Sequence, residues 1–182
     1  DKIAALPYDV YNRKEAKQAV AGNPDSFLNI DRPETQFPDD VDLYDERVYQ
    51  KAHDMLWAQI ADGSFVRDDK KCYYIYELTM NGRTQTGIVA CASIDDYENQ
   101  VIKKHENTRA EKEADRIRHV DVCNAQTGPI FLAYRSDETI RRAVAEAVSQ
   151  EPVYDFVSED GIRHRVFAVC EDERIESVRK AF

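Results

Sequence analysis

The sequence predicts an α+β fold: a mixed, largely antiparallel sheet with hairpins and helices packed on it. Two observations carry this. Alternating strand-like runs flank turn signals twice, at Asn81-Gly82 and at Glu159-Asp160-Gly161. Around them lie segments with apolar residues at helical spacing, bounded by capping residues and glycines. Hairpins interspersed with helices, rather than a strict strand–helix alternation, point to α+β.

Each element has a local reason. Residues 1–10 read as a short apolar strand or an extended lead-in to Pro7-Tyr8-Asp9. Asn12 and Glu15 form an Asn-x-x-Glu capping box, so a helix runs over about 13–21, stopped by Gly22 and Pro24. Residues 27–30 read as a short strand, and the Pro- and acid-rich residues 31–42 as a loop. Over 43–61, Tyr44, Val48, Ala52, Met55 and Ala58 recur at helical spacing, and Asp62-Gly63 closes the helix. The first hairpin pairs residues 72–80 with 83–92 across a type I′ turn. The run IFLAYR over 130–135 reads as a buried strand. Ser136-Asp137 opens a helix to about Ser149, residues 153–157 and 162–170 form the second hairpin, and 175–182 a last helix. The whole of 1–182 is expected to form a single domain.

Composition narrows the function classes. Thirty-five acidic against 25 basic residues leave a net charge of −10. That argues against nucleic acid and against anionic membranes as partners. No apolar run approaches the ~20 residues that span a bilayer. The four cysteines, Cys72, Cys91, Cys123 and Cys170, stand singly without a CxxC, and read as buried reduced thiols. With the four histidines scattered as well, no structural zinc and no metal ligands are expected. The chain opens without a signal peptide or an initiator Met, and cytoplasm is the default location.

The stretch KKHENTRAEKEADRIRH, residues 103–119, concentrates the chemistry: six Lys or Arg, four Asp or Glu and two His. Thr108-Arg-Ala-Glu111 is a second capping-box pattern, so a helix is expected to begin at Arg109 and run to about Asn124. At 100° per residue, Ala110, Ala114 and Ile117 form the natural buried stripe, while Lys112, Arg116 and His119 form another. One reading is a capped, solvated helix with ordinary ion pairs. The other is an anion site, with Lys103, Lys104 and His105 just ahead of a helix N-terminus whose free N–H groups favour a phosphate or carboxylate. His105-Glu106 is followed by Arg109 where a zincin needs its second His, and no P-loop, dinucleotide or nucleophile-elbow motif occurs. Tyr8-Asp9 after Pro7 either aims a phenol and a carboxylate at a site or makes a turn. Arg32 before Pro33 either binds an anion or sits on a loop, and His164 reads as a structural histidine within a strand.

These residues resemble the bacterial and archaeal family called domain of unknown function ten-fifteen, over nearly the whole chain. The matches are Pro7-Tyr-Asp-Val10, Thr86-Gly-Ile88 and Asp95-Asp-Tyr97. There follow Ile102, Lys103, His105, Glu106 and Thr108, then Lys112, Glu113, Asp115 and Arg116, then Gly128 to Phe131, and His164. Members are about twice this long and continue into an Ala-Asp-Gly-His-His-Arg element. The resemblance therefore implies an N-terminal fragment of a longer protein. The missing element is similar to motifs of ParB and sulfiredoxin-like proteins, some of which bind nucleotides or transfer phosphoryl groups.

The resulting expectation is part of a cytoplasmic enzyme acting on a phosphorylated metabolite or nucleotide, with an anion site near Thr108. His105, Glu106 and Asp115 are the catalytic candidates. Thr108, Lys112, Arg116, Lys103, Tyr8, Asp9 and Arg32 are the candidates for binding a small anionic ligand, with magnesium as a possible cofactor. The alternatives are a ligand-binding regulatory domain without chemistry, or a protein-interaction module.

Overall fold

Seven helices, two 3₁₀ turns and four strands make up the described residues, 2–104 and 107–182, of the computed structural model. In chain order they are the 3₁₀ turn Tyr8–Val10, α1 Arg13–Val20, α2 Leu28–Asp31, the 3₁₀ turn Pro33–Gln36, α3 Glu46–Ala61, β1 Tyr73–Met80, β2 Arg83–Val89, α4 Ile94–Glu98, α5 Ala110–Cys123, α6 Glu138–Val148, β3 Tyr154–Val157, β4 Arg163–Val169 and α7 Asp172–Ala181. The strands form one antiparallel sheet in the order β2-β1-β4-β3. The fold is α+β, as the hairpins and helices predicted. Among the described residues no helix is long and apolar enough to cross a membrane. The chain divides into two compact units, one running to Arg67 and resuming over Lys104–Phe131, the other comprising Asp68–Lys103 and Leu132–Phe182.

The first unit is helical. Asn12 and Glu15 close the expected capping box on α1, each side chain bonded to the other's backbone N–H. One core cluster joins Ile30, Ala52, Leu56 and Cys123, and another joins Ala16, Val20 and Leu28. Residues 27–30, expected as a strand, instead turn into the short helix α2. The Asn29 amide bonds the carbonyls of Asn23 and Pro24 and its N–H bonds Ser26 O, so the chain coils here. A four-residue apolar run does not by itself distinguish the two.

The second unit holds the sheet with α4, α6 and α7. Asn81 and Gly82, at φ 52° and 76°, make the turn between β1 and β2, where two positive φ values call for this pair. Ile75, Ala147, Phe167 and Val169 form its core cluster. The register sets Thr86, Glu77, Arg165 and Asp155 in one row across all four strands.

Three more expectations are corrected. Residues 130–135 form no strand, and Ile130 and Phe131 are exposed; an apolar run makes a strand only where a ladder partner stands beside it. Cys72 and Cys170 are not free thiols but a disulfide, at a Cα–Cα distance of 4.4 Å. They follow directly from the pair Tyr73–Val169 in the ladder, so a separation of 98 residues brings them face to face. Cys91 is free but exposed, and only Cys123 is a buried thiol.

Candidate functional site

Helix α5 turns its polar stripe inward. His119 and Cys123 are buried, Asp115 and Arg116 are partly buried, and Ile117 is 62% exposed, with Ala110 and Ala114 exposed as well. The expected apolar stripe is therefore on the solvent side. The reason lies in what α2 and α3 offer. The His119 Nε2–H donates to Ile30 O at 2.8 Å, the Tyr49 hydroxyl donates to Asp115 Oδ1 at 2.8 Å, and the Trp57 indole N–H donates to Cys123 O at 3.0 Å. The groups of this stripe that face α2 and α3 are partnered and can be buried; an apolar stripe without them would leave Ile30 O and the Tyr49 hydroxyl unsatisfied.

The helix start also differs from expectation. Arg109, not Thr108, occupies the N-cap, with no side-chain capping bond. The capping box fails because the Glu111 carboxylate is engaged elsewhere, accepting from the Tyr44 hydroxyl at 2.8 Å.

The inward stripe faces a cleft of about 70 Å³, lined by Tyr8, Asp31, Arg32, Glu34, Tyr44, Tyr49, Lys112, Asp115, Arg116 and His119 with Pro33, Leu43 and Val48. That volume suits a few waters or one phosphoryl-sized group. Arg116 lies over the Tyr8 ring, 4.5 Å from its centroid, and pairs with Asp115 Oδ2 through Nε at 3.1 Å and Nη2 at 3.0 Å. Arg32 donates Nε–H to Glu34 Oε1 at 2.5 Å and Nη1–H to the carbonyls of Tyr11 and Tyr8. Lys112 is exposed and forms no ion pair among the described residues.

Burial reshapes the titrating groups. The Asp31 carboxyl is pushed up by burial, against the Thr127 hydroxyl and the charges of His119 and Arg116. One of its oxygens, Oδ1, is buried without a hydrogen-bond partner among the described residues. Burial pulls His119 below its ordinary value, outweighing the bond to Ile30 O. The Cys123 thiol is pushed up to about 11, again by burial. His119 is thus neutral near pH 7, with Nδ1 turned toward the Thr127 hydroxyl at 3.5 Å and the Cys123 thiol at 3.8 Å.

All of residues 1–182 match the family described as Protein of unknown function (DUF1015). The chain belongs to that family. The resemblance visible in its motifs is borne out over the full length. Neither a curated protein nor a solved structure matches it.

Of this DUF1015 member's candidate residues, the cleft brings together Tyr8, Arg32, Lys112, Asp115 and Arg116. Thr108, Asp9 and Lys103 are exposed and do not line it. His105 and Glu106 lie outside the described residues. Sequence reasoning missed Asp31, Glu34, Tyr44 and Tyr49, and it placed His119 on a stripe without assigning it a role. The Lys112–Arg116–His119 stripe was the available signal, since its polarity does not say which way it faces. Among the described residues, no group of three or more His, Cys, Asp or Glu side chains could hold a metal ion. His164, in the second unit, is partnered on both sides, by the Tyr76 hydroxyl at 2.7 Å and Ser158 Oγ at 2.9 Å, as a structural histidine would be.

Proposed function

We propose that the first unit binds a small anionic group, phosphoryl or carboxylate, in this cleft, as part of an enzyme acting on a phosphorylated metabolite or nucleotide. The observation that carries the reading is the inversion of α5: it places the charged residues Lys112, Asp115 and Arg116 in a cleft and the apolar Ile117 in solvent. The bonds to α2 and α3 account for the burial of His119 and Asp115, but they do not use Lys112, which lines the same cleft beside Arg116 and is open to an anion. Lys112 and the unpaired edge of the Arg116 guanidinium would meet the anion, and the Tyr8 ring would hold Arg116 in place.

One observation favours a second reading, binding without chemistry. Among the described residues no Ser, Thr or Cys lines the cleft, so it lacks the commonest hydroxyl and thiol nucleophiles, and of its tyrosine hydroxyls those of Tyr44 and Tyr49 are given to Glu111 and Asp115. Calorimetry and thermal shift with inorganic phosphate, nucleotides and sugar phosphates, with and without magnesium, test both. The expected result is saturable binding that Lys112→Glu abolishes without lowering the melting temperature of the free protein. Product formation selects the enzyme; binding alone selects the second reading. Unchanged ligand response in Lys112→Glu would remove the anion site.

A further inference from the structure

We propose that Asp31 meets the bound anion as a carboxylic acid, donating its proton to an anion oxygen, so that the cleft takes up a proton with each anion it binds. This rests on the anion-binding reading above and adds the group that recognises the anion's oxygen. Asp31 ends α2 and lines the cleft with Arg116 and Lys112. Its Oδ1 is buried and has no partner among the described residues. A carboxylate with one oxygen so placed is costly, which favours the acid; its proton would be offered to an entering anion from the other oxygen, Oδ2.

The surroundings favour that exchange. From α5, Arg116 presents its charge, and His119 stays neutral because burial outweighs the bond its Nε2–H gives to Ile30 O. Cys123, on the same helix, keeps its thiol proton because burial raises it. From the segment after α5, the Thr127 hydroxyl favours the ionised carboxyl. From the 3₁₀ turn Pro33–Gln36, the Glu34 charge is held by Arg32, and from α3 the Tyr49 hydroxyl is given to Asp115. Arg116 and Thr127 draw Asp31 toward ionisation, yet burial outweighs them.

Charge counting gives the consequence. With Asp31 ionised, three carboxylates (Asp31, Glu34, Asp115) face three cations (Arg32, Lys112, Arg116), and an anion finds no excess positive charge. With Asp31 protonated the cleft carries one net positive charge, and a carboxylic acid stands in its wall. Proton and anion therefore strengthen each other's binding, reciprocally. The proton comes from bulk water and stays covalently on Asp31; only a hydrogen bond forms to the anion.

Sulfate is the probe, because its charge does not change over the pH range in which proteins fold. Isothermal titration in two buffers of different ionisation heat counts the protons taken up. Wild type should approach one proton per sulfate on the alkaline side of Asp31's own titration. Affinity there should fall by about tenfold per pH unit at most. Asp31→Asn keeps a donor and should bind sulfate with neither proton uptake nor that slope. Equal proton uptake and slope in wild type and Asp31→Asn would overturn the proposal while leaving the anion site standing. Failure of both sulfate and phosphate to bind wild type at any pH would overturn the anion site and this proposal together. Should Asp31→Asn not fold, the carboxyl carbon resonance of Asp31 in wild type decides. Its titration must move to higher pH on adding sulfate, and an unmoved titration overturns the proposal.

Discussion

The Tyr49 hydroxyl donates to Asp115 Oδ1 at 2.8 Å, joining α3 to α5 across 66 residues of chain. Tyr49 is buried, and Asp115 holds Arg116 with its other oxygen, so one phenol anchors the charged pair that lines the cleft. The bond to the carboxylate pushes the Tyr49 phenol up further, after burial.

Tyr49→Phe removes the donor and nothing else of size. Asp115 keeps Arg116, so the loss is one charge-assisted hydrogen bond, about 1–2 kcal/mol. Urea denaturation should show a lower midpoint with an unchanged slope. If the cleft binds anions, affinity should fall too, since Arg116 loses its fixed counterpart.

His119 makes stability depend on pH. Burial lowers its folded value below the ordinary 6.5, so between the two values the unfolded chain binds more protons. Stability contributed by the neutral ring is present above about 6.5 and is lost as pH falls through and below it. Asp31 acts in the opposite sense: its folded value is raised above 3.8, so its contribution is present below 3.8 and fades as pH rises through the folded value. Comparing wild type with His119→Gln isolates the histidine. Wild type should lose stability relative to the variant as pH falls from about 7 to 5, by at most ~1.4 kcal/mol per unit. Parallel pH profiles would contradict the buried neutral ring.

The hairpin at Asn81-Gly82 and the capping box at Asn12 were legible because each is decided by residues a few positions apart. The orientation of α5 was not. Helical spacing separates stripes, and choosing the buried one requires knowing that Ile30 O and the Tyr49 hydroxyl wait opposite, 89 and 66 residues away. The same distance problem hid Asp31 and Glu34, which read as loop acids until α5 packs beside them. Thr108 failed as a cap because a tyrosine 67 positions away takes Glu111. Local pattern located the charged segment; tertiary partners decided what it faces.

The Cys72–Cys170 disulfide closes a loop of nearly a hundred residues at the end of the β1–β4 ladder. Chain-entropy reasoning assigns such a loop about 4–5 kcal/mol, of which native bridges typically deliver about 2–4. Cys72→Ser with Cys170→Ser should lower the stability of the second unit by that amount, and reductant should do the same to wild type. Peptide mapping without reduction should recover the linked pair, with Cys91 alkylated.

In the second unit, Glu77 is buried and sits between two cross-strand neighbours. It accepts from Arg165 Nη2 at 2.5 Å and from the Thr86 hydroxyl at 3.0 Å. Arg165 belongs to β4 and Thr86 to β2, so a single carboxylate fastens the centre of the sheet on both sides. Arg165→Met deletes the cation and leaves a buried charge with one neutral donor. That should cost about 3 kcal/mol, because an uncompensated carboxylate is dearer than the pair is worth. Adding Glu77→Leu removes the orphaned charge and sets two apolar side chains in adjacent positions of the row, beside Phe167 and Ile75 on neighbouring pairs. The double variant should therefore recover most of the loss, whereas two independent sites would add their costs. Equilibrium denaturation of the four proteins gives the coupling directly. Additive losses would mean that Glu77 reaches solvent and that the row contributes no more than an exposed ion pair.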